Sequence, residues 1–396
     1  MRSTGRTEAG AGIARGILTI AFLAVVLMTA PTRTTLAQGG SSGRADTALP
    51  PDIHPESGSR LPPLKPGVQG VAALRLHVPA NVRWESPLGR AMTELAILVT
   101  AREHDQQYEW SLHEMEALAV GLSPSTIDVV RRRQPLTPVP EKEAVIIQVG
   151  REIGGGHALS SSTYARGVKA LGQRDFVGVV DLMATYAATG VRLTAFNQHM
   201  PTGWKEFLPL PFTLPTDFHP DSRSRLPLIR SQTQPVQASL YARQLAPEGT
   251  GPNHIARHAG SLAMLEAGMG RRLMALAVLV TARAHDAQYD WTMNELAART
   301  DGLEPAIIDI VRHSRPLTGV AEKEAALIQF GRQLLDAHNV SPDTYARALK
   351  LFGERDLVDV VGLMAQHTAD AVLLAAFDQR VPAGQQLLLP IGGGGK

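Results

Sequence analysis

Apolar residues along this chain recur at helical spacing. Leu95, Leu98 and Val99 fall on one face of a helix, and so do Ile127 and Val130. From Phe176 to His199, and again from Leu357 to Arg380, the pattern runs long enough to predict two long helices ending near Pro201 and Pro382. Pro140 stands just ahead of Glu141-Lys142-Glu143. That order sets a proline at a helix start and carboxylates in the first turn, where the backbone dipole favours them. Ser160 and Ser341 are N-cap candidates. No segment alternates with period two over a convincing length, so the predicted class is all-α.

The same pattern is written twice. Thr100 to Trp110 reads TAREHDQQYEW, and Thr281 to Trp291 reads TARAHDAQYDW. The offset of 181 holds without a gap from about residue 70 to residue 203, and roughly half the positions from 91 to 203 are identical. The lead-in segments match too, at an offset of 165. Asp52-Ile53-His54-Pro55 and Arg60-Leu61-Pro62 correspond to Asp217-Phe218-His219-Pro220 and Arg225-Leu226-Pro227. The second copy therefore has about 16 extra residues between Pro227 and Gly251, in a stretch, 228–250, that reads as a lid or a loose loop. A period this long marks a duplicated domain. The copies are predicted at 52–209 and 217–391, each a bundle of about six helices. Between them, 210–216 forms a linker within the proline-rich stretch Pro209 to Thr216.

The N-terminal residues read as an address. Arg2, Arg6 and Arg15 precede an apolar run from Gly16 to Met28, too short for an ordinary membrane span. Residues 1–37 are expected to be a signal peptide, and 38–51 a flexible tether. The expected location is secreted or periplasmic, with no membrane association after cleavage. Lys+Arg 39 against Asp+Glu 37 gives +2, without a basic run beyond residue 37, so no nucleic-acid partner is expected. The chain has no cysteine. A thiolate nucleophile, a disulfide framework, a Cys-ligated zinc and an iron–sulfur cluster are all excluded.

Candidate chemistry concentrates between Glu94 and Glu116. Glu109 and His113 are four apart and share a helical face. A carboxylate beside an imidazole orients the ring and favours its protonated form, which suits general acid/base work. Glu94, folded alongside, is expected as a second carboxylate with its pKa pushed up by burial and by Glu109. His113-Glu114-Met115-Glu116-Ala117 opens like a zinc-binding H-E-x-x-H, but Ala117 stands where the second histidine belongs, so no metal is expected. His104, matched by His285, reads as structural. His157 and His338 read as surface or capping residues at helix ends.

These residues resemble the carboxymuconolactone decarboxylase family, whose fold is shared with the alkylhydroperoxidase D proteins. The resemblance rests on Tyr108-Glu109-Trp110 with His113, Gly121-Leu122, the turn at Pro135, Glu141-Lys142-Glu143, Thr163-Tyr164-Ala165 and Leu171-Gly172. It implies two tandem alkylhydroperoxidase D-like bundles forming an intrachain pseudo-dimer. Peroxidase members of the family use Glu, Cys-x-x-Cys and His as a relay feeding a reactive thiol. Glu94 and His113 fall on the outer members of that relay, whereas Gln106 and Glu109 stand at the cysteine positions. Thiol peroxidase chemistry is thereby lost.

What the resemblance then implies is decarboxylation or proton transfer on a lactone or unsaturated carboxylic acid, without a cofactor. His113 is the expected proton donor, Glu109 its orienter and Glu94 a second acid/base group. Arg102, Tyr108, Trp110 and Tyr186 are the expected substrate contacts. Partners are a small-molecule carboxylate or lactone and, for the tandem chains, a homo-oligomer. The second copy replaces Glu94 by Ala275, Glu109 by Asp290, His113 by Asn294 and Tyr186 by His367. It reads as a structural partner that has lost the chemistry. The competing class is a non-catalytic exported helical module that binds a ligand or partner.

Overall fold

Glycine breaks define where the first long helices begin. Gly89, at φ 83°, separates α2 (Val82–Glu85) from α3 (Arg90–Glu103). Gly270, at φ 78°, makes the same break 181 residues later, inside α11 (Leu262–Ala284). A left-handed residue with extended ψ cannot continue a helix, and glycine adopts it without a Cβ clash. The structure is a computed structural model and describes residues 49–230, 240–245 and 250–390. The expected signal peptide, most of the tether and the stretches 231–239 and 246–249 lie outside the described residues.

The described residues are all-α, with no strand among them and only two isolated bridges, His54 with Ser59 and His219 with Ser224. After the short α1 (Gly70–Arg75), the first half runs through α3, α4 (Gln107–Ala119), α5 (Pro124–Arg131), α6 (Glu141–Gly156), α7 (Ser161–Leu171) and α8 (Gln173–Ala195). Then come α9 (Leu240–Leu245), which packs on α4, and α10 (Pro252–Ala256). The second half repeats the series as α11, α12 (Gln288–Thr300), α13 (Pro305–Arg312), α14 (Glu322–Leu335), α15 (Pro342–Phe352) and α16 (Glu354–Ala376). Ser160 and Ser341 cap α7 and α15 by accepting from the amides of Thr163 and Thr344.

The long helices end earlier than their prolines suggest. α8 stops at Ala195 and α16 at Ala376, ahead of Asn197 and Asp378 in the left-handed conformation. Asn and Asp tolerate that conformation best among residues with a Cβ, so they close the helix before Pro201 or Pro382 can. Both helices are long and apolar enough to cross a membrane, but most of each is buried inside the protein, where α8 and α16 pack along one another.

Two close approaches set the packing around the site. Gly150 of α6 faces Val99 of α3, and a Cβ built there would lie 2.3 Å from the valine methyl; Gly331 of α14 faces Val280 of α11 at 2.4 Å. Trp110 and Trp291 are fully buried, each donating from Nε1 to a glutamate one turn on, Glu114 at 2.7 Å and Glu295 at 2.8 Å. A buried tryptophan of this kind is worth about 3–5 kcal/mol against alanine.

The halves interlock through their lead-in segments. The amide of Arg60 donates to the carbonyl of Phe377 at the end of α16, and the amide of Arg225 donates to Phe196 at the end of α8, both at 2.8 Å. Arg60 also pairs with Asp52 and lies over the ring of Tyr164; Arg225 pairs with Asp217 and lies over Tyr345. His157, read as a surface or capping residue, caps α6 in a left-handed turn, and His338, also with positive φ, lies just beyond α14; both meet histidines across the halves. His104 stacks on His338 at 5.4 Å, and His157 meets His285 edge-on at 5.6 Å.

Candidate active site

α3 and α4 are antiparallel neighbours joined by a tight turn at Asp105, which has positive φ. Gln106 caps α4 by accepting from the amides of Tyr108 and Glu109. This geometry puts Glu94, near the start of α3, beside His113, in the second turn of α4. The Nδ1 of His113 donates to Glu94 Oε2 at 2.6 Å, and both side chains are buried, at 2% and 0% exposure. With Nδ1 committed, Nε2 is the nitrogen left to exchange a proton.

The carboxylate that meets His113 is not the one its helical spacing suggested. Glu94, not Glu109, orients His113. The Arg90 guanidinium also pairs with Glu94, and Arg83 approaches it at 3.7 Å. Burial raises the Glu94 pKa, but His113, Arg83 and Arg90 outweigh it and bring it down to about 2. Glu109 moves the other way. Burial pushes its pKa up, and its Oε2 has no hydrogen-bond partner. Two buried carboxyl groups with opposite shifts divide naturally into a fixed anion and a proton-holding acid.

Tyr186 completes the wall. Its ring meets the His113 ring edge-on at 5.0 Å, and burial drives its hydroxyl pKa upward. Arg83 lies over this ring at 5.7 Å and over Trp84 at 4.7 Å, while Arg90 covers Trp84 at 4.2 Å. Arg83 Nε and Nη2 and Arg90 Nε are buried without a hydrogen-bond partner, as is Glu116 Oε1. Such groups are costly to leave unpaired.

Of the residues expected here, Glu94, Glu109, His113 and Tyr186 come together. Arg102 does not. It lies at the far end of α3, where it pairs with Asp105 and donates to the carbonyl of Arg131 at 2.8 Å; Arg283 pairs with Asp286 in the same way. Tyr108 turns toward the second half, with its hydroxyl 3.3 Å from Thr250 and against Gly251. Trp110 is a packing residue held by Glu114, which also pairs with Arg131. That commitment of Glu114 further weakens the zinc-like reading of the His113-Glu114 pair. Among the described residues, no group of three or more His, Asp or Glu side chains is arranged to hold a metal ion.

Arg83, Arg90 and Glu116 were not anticipated. Two of the three differ between the copies, where Met264 and Ala297 stand for Arg83 and Glu116. Because about half of the aligned positions differ, that divergence alone could not have singled them out. Arg90 keeps its counterpart Arg271, which instead turns outward to Glu266. Two surface depressions lie elsewhere. One, of about 670 Å³, is lined by Glu114, Arg131, Lys205 and Phe207, and the other, of about 430 Å³, by the counterparts in the second half. No known protein family, curated protein or solved structure matches this chain.

Proposed function

We propose that the first half is a cofactor-independent proton-transfer site, of the carboxymuconolactone decarboxylase type, acting on a small unsaturated carboxylic acid or lactone acid. The supporting observation is the buried His113–Glu94 hydrogen bond beside the unpartnered polar atoms of Glu109 and Arg83. Arg83 and Arg90 take the part first given to Arg102, since a guanidinium grips a carboxylate in two places. In the decarboxylation, the bond from carbon to the carboxylate breaks and CO2 leaves. The electron pair passes into the conjugated carbonyl as an enolate. The imidazolium of His113 then delivers its Nε2 proton to carbon, with Glu94 holding the ring. Glu109, its pKa raised, is the acid that hydrogen-bonds the enolate oxygen.

In this reading the fold is a fused pair of alkylhydroperoxidase D-like bundles, an intrachain pseudo-dimer in an exported protein, secreted or periplasmic. The reciprocal contacts of Arg60 and Arg225 support it, because a two-fold pair uses the same patch twice. A second reading, ligand binding without turnover, is favoured by the near-complete burial of Glu94 and His113. A panel of unsaturated lactone acids, assayed with wild type and His113→Ala, decides between them. Turnover by wild type that is lost in the variant supports catalysis, and saturable binding without turnover supports the second reading.

A further inference from the structure

The second half was expected to have lost its chemistry, because none of Glu94, Glu109 and His113 is kept there. Compared helix by helix, it has instead rebuilt an imidazole–carboxylate pair on different helices. His367 of α16 stands at the position of Tyr186, and Asp290 of α12 at the position of Glu109. His367 Nδ1 donates to Asp290 Oδ2 at 2.8 Å. The other oxygen of Asp290 accepts from Asn294 Nδ2, also at 2.8 Å, and Asn294 stands where the first half has His113. Both carboxylate oxygens are therefore fixed, and the proton-exchanging atom of His367 is Nε2.

This pair is more open than the first. The side chains of His367 and Asp290 are 17% and 10% exposed, against 2% and 0% for His113 and Glu94. Alanine replaces glutamate at position 275, removing the carboxyl group that fills the same place in the first half. The charges differ as well. Met264 replaces Arg83, and Arg271 turns outward to Glu266, so the arginine pair of the first half is missing. The charges acting on His367 are Asp290 and, beyond it, Asp370, itself paired with Arg75 at 2.7 Å. Burial lowers the His367 pKa, but these carboxylates outweigh it and raise it.

We propose that the second half holds a second proton-transfer site, with His367 as proton carrier and Asp290 as its positioning residue, that takes an uncharged carbonyl compound such as a lactone. An anionic substrate would meet the Asp290 carboxylate, and the one arginine nearby, Arg75, is already engaged by Asp370; an uncharged substrate avoids that repulsion. In the step, His367 Nε2 removes a proton from the carbon next to the carbonyl. The C–H electron pair becomes a carbon–carbon double bond, and the oxygen takes the negative charge. The imidazolium, balanced by Asp290, returns the same proton to the far end of the conjugated system. The net change is a double-bond shift, with no redox partner.

The test uses 5-methyl-2(3H)-furanone, a β,γ-unsaturated lactone, whose isomerisation to the conjugated lactone is followed by ultraviolet absorbance. His367→Gln is expected to lower the rate at least ~100-fold. Asp290→Asn is expected to move the midpoint of the pH–rate profile downward, and imidazole NMR should show the same fall in the His367 titration. Equal rates in wild type and His367→Gln, whether both accelerate or neither does, overturn the proposal. So does an Asp290→Asn midpoint that stays in place. Because the probe is uncharged and the variants lie in the second half, failure of the first-half reading leaves this test intact.

Discussion

The hydroxyl of Tyr108 packs onto Gly251, so closely that a Cβ on the glycine would lie 2.5 Å from it. The counterpart contact is reciprocal: Tyr289 packs onto Gly70, where a Cβ would lie 2.4 Å away. Each half thus inserts the tyrosine that opens its site helix against the lead-in of the other. Gly251→Ala meets both this contact and a φ of 80°, whereas Gly203→Ala meets only a φ of 88°, with nothing within 4 Å. We expect Gly251→Ala to cost about 1–3 kcal/mol more than Gly203→Ala, the usual penalty of overpacking. Urea melts of both variants check it, and equal costs would remove the contact from the account.

A second steric prediction concerns the helix pair behind the site. Gly150→Ala and Gly331→Ala each press a methyl into a valine, with no left-handed backbone to confuse the reading. Each should lose about 1–3 kcal/mol. Gly150→Ala should also slow any first-half turnover, because it pushes α6 away from α3, the helix that holds Glu94.

The all-α class was legible because helical spacing is a local, additive signal. Helix starts at Pro140, Ser160 and Ser341 followed from capping chemistry alone. Helix ends were less legible, since Asn197 and Asp378 stop α8 and α16 through a backbone conformation that the more conspicuous prolines mask. In the candidate site, Glu94 and His113 stood out in the sequence, but the hydrogen bond between them did not. Spacing paired His113 with Glu109, its neighbour on one helix, whereas the packing of α3 on α4 offers Glu94. Arg83 was hidden on a four-residue helix ahead of Gly89, whose path only the tertiary fold decides. The exchange of Tyr186 for His367 was plain in the aligned copies, but its hydrogen bond to Asp290 was not, because the two residues lie on helices far apart in sequence.

The Glu94 charge should be visible in stability. Its folded pKa lies below that of the unfolded chain, so it stabilises the fold above about pH 4.5, and that contribution fades as pH falls toward 2. Glu94→Gln should therefore cost roughly 3 kcal/mol at pH 7 and much less near pH 3. Denaturant melts across this range read the difference directly. A cost that does not change with pH contradicts the ion-pair assignment.

The histidines between the halves also lose stability as pH falls, because burial makes them refuse a proton. Burial, with His104, His157 and Arg133 nearby, lowers the His338 pKa to about 3, and burial also lowers those of His104 and His285. Asp286 faces His157 at 3.7 Å. An unfolded histidine takes up protons near pH 6.5 that the folded His338 refuses, so stability holds above pH 6.5 and falls as pH drops toward 3. For His338 alone the loss at pH 5 is roughly 2 kcal/mol. His338→Gln should flatten the melting-temperature profile between pH 8 and pH 5, and an unchanged slope would show that this ring does not resist protonation.

The central claim is that His113 delivers a proton in the first half. Turnover of an unsaturated lactone acid in D2O tests it most directly, reading CO2 release and deuterium at the carbon that lost it. Wild type should release CO2 and place deuterium at that carbon, and His113→Gln should lower the rate about 10²–10⁴-fold. Equal rates and equal labelling in the two proteins would contradict the account.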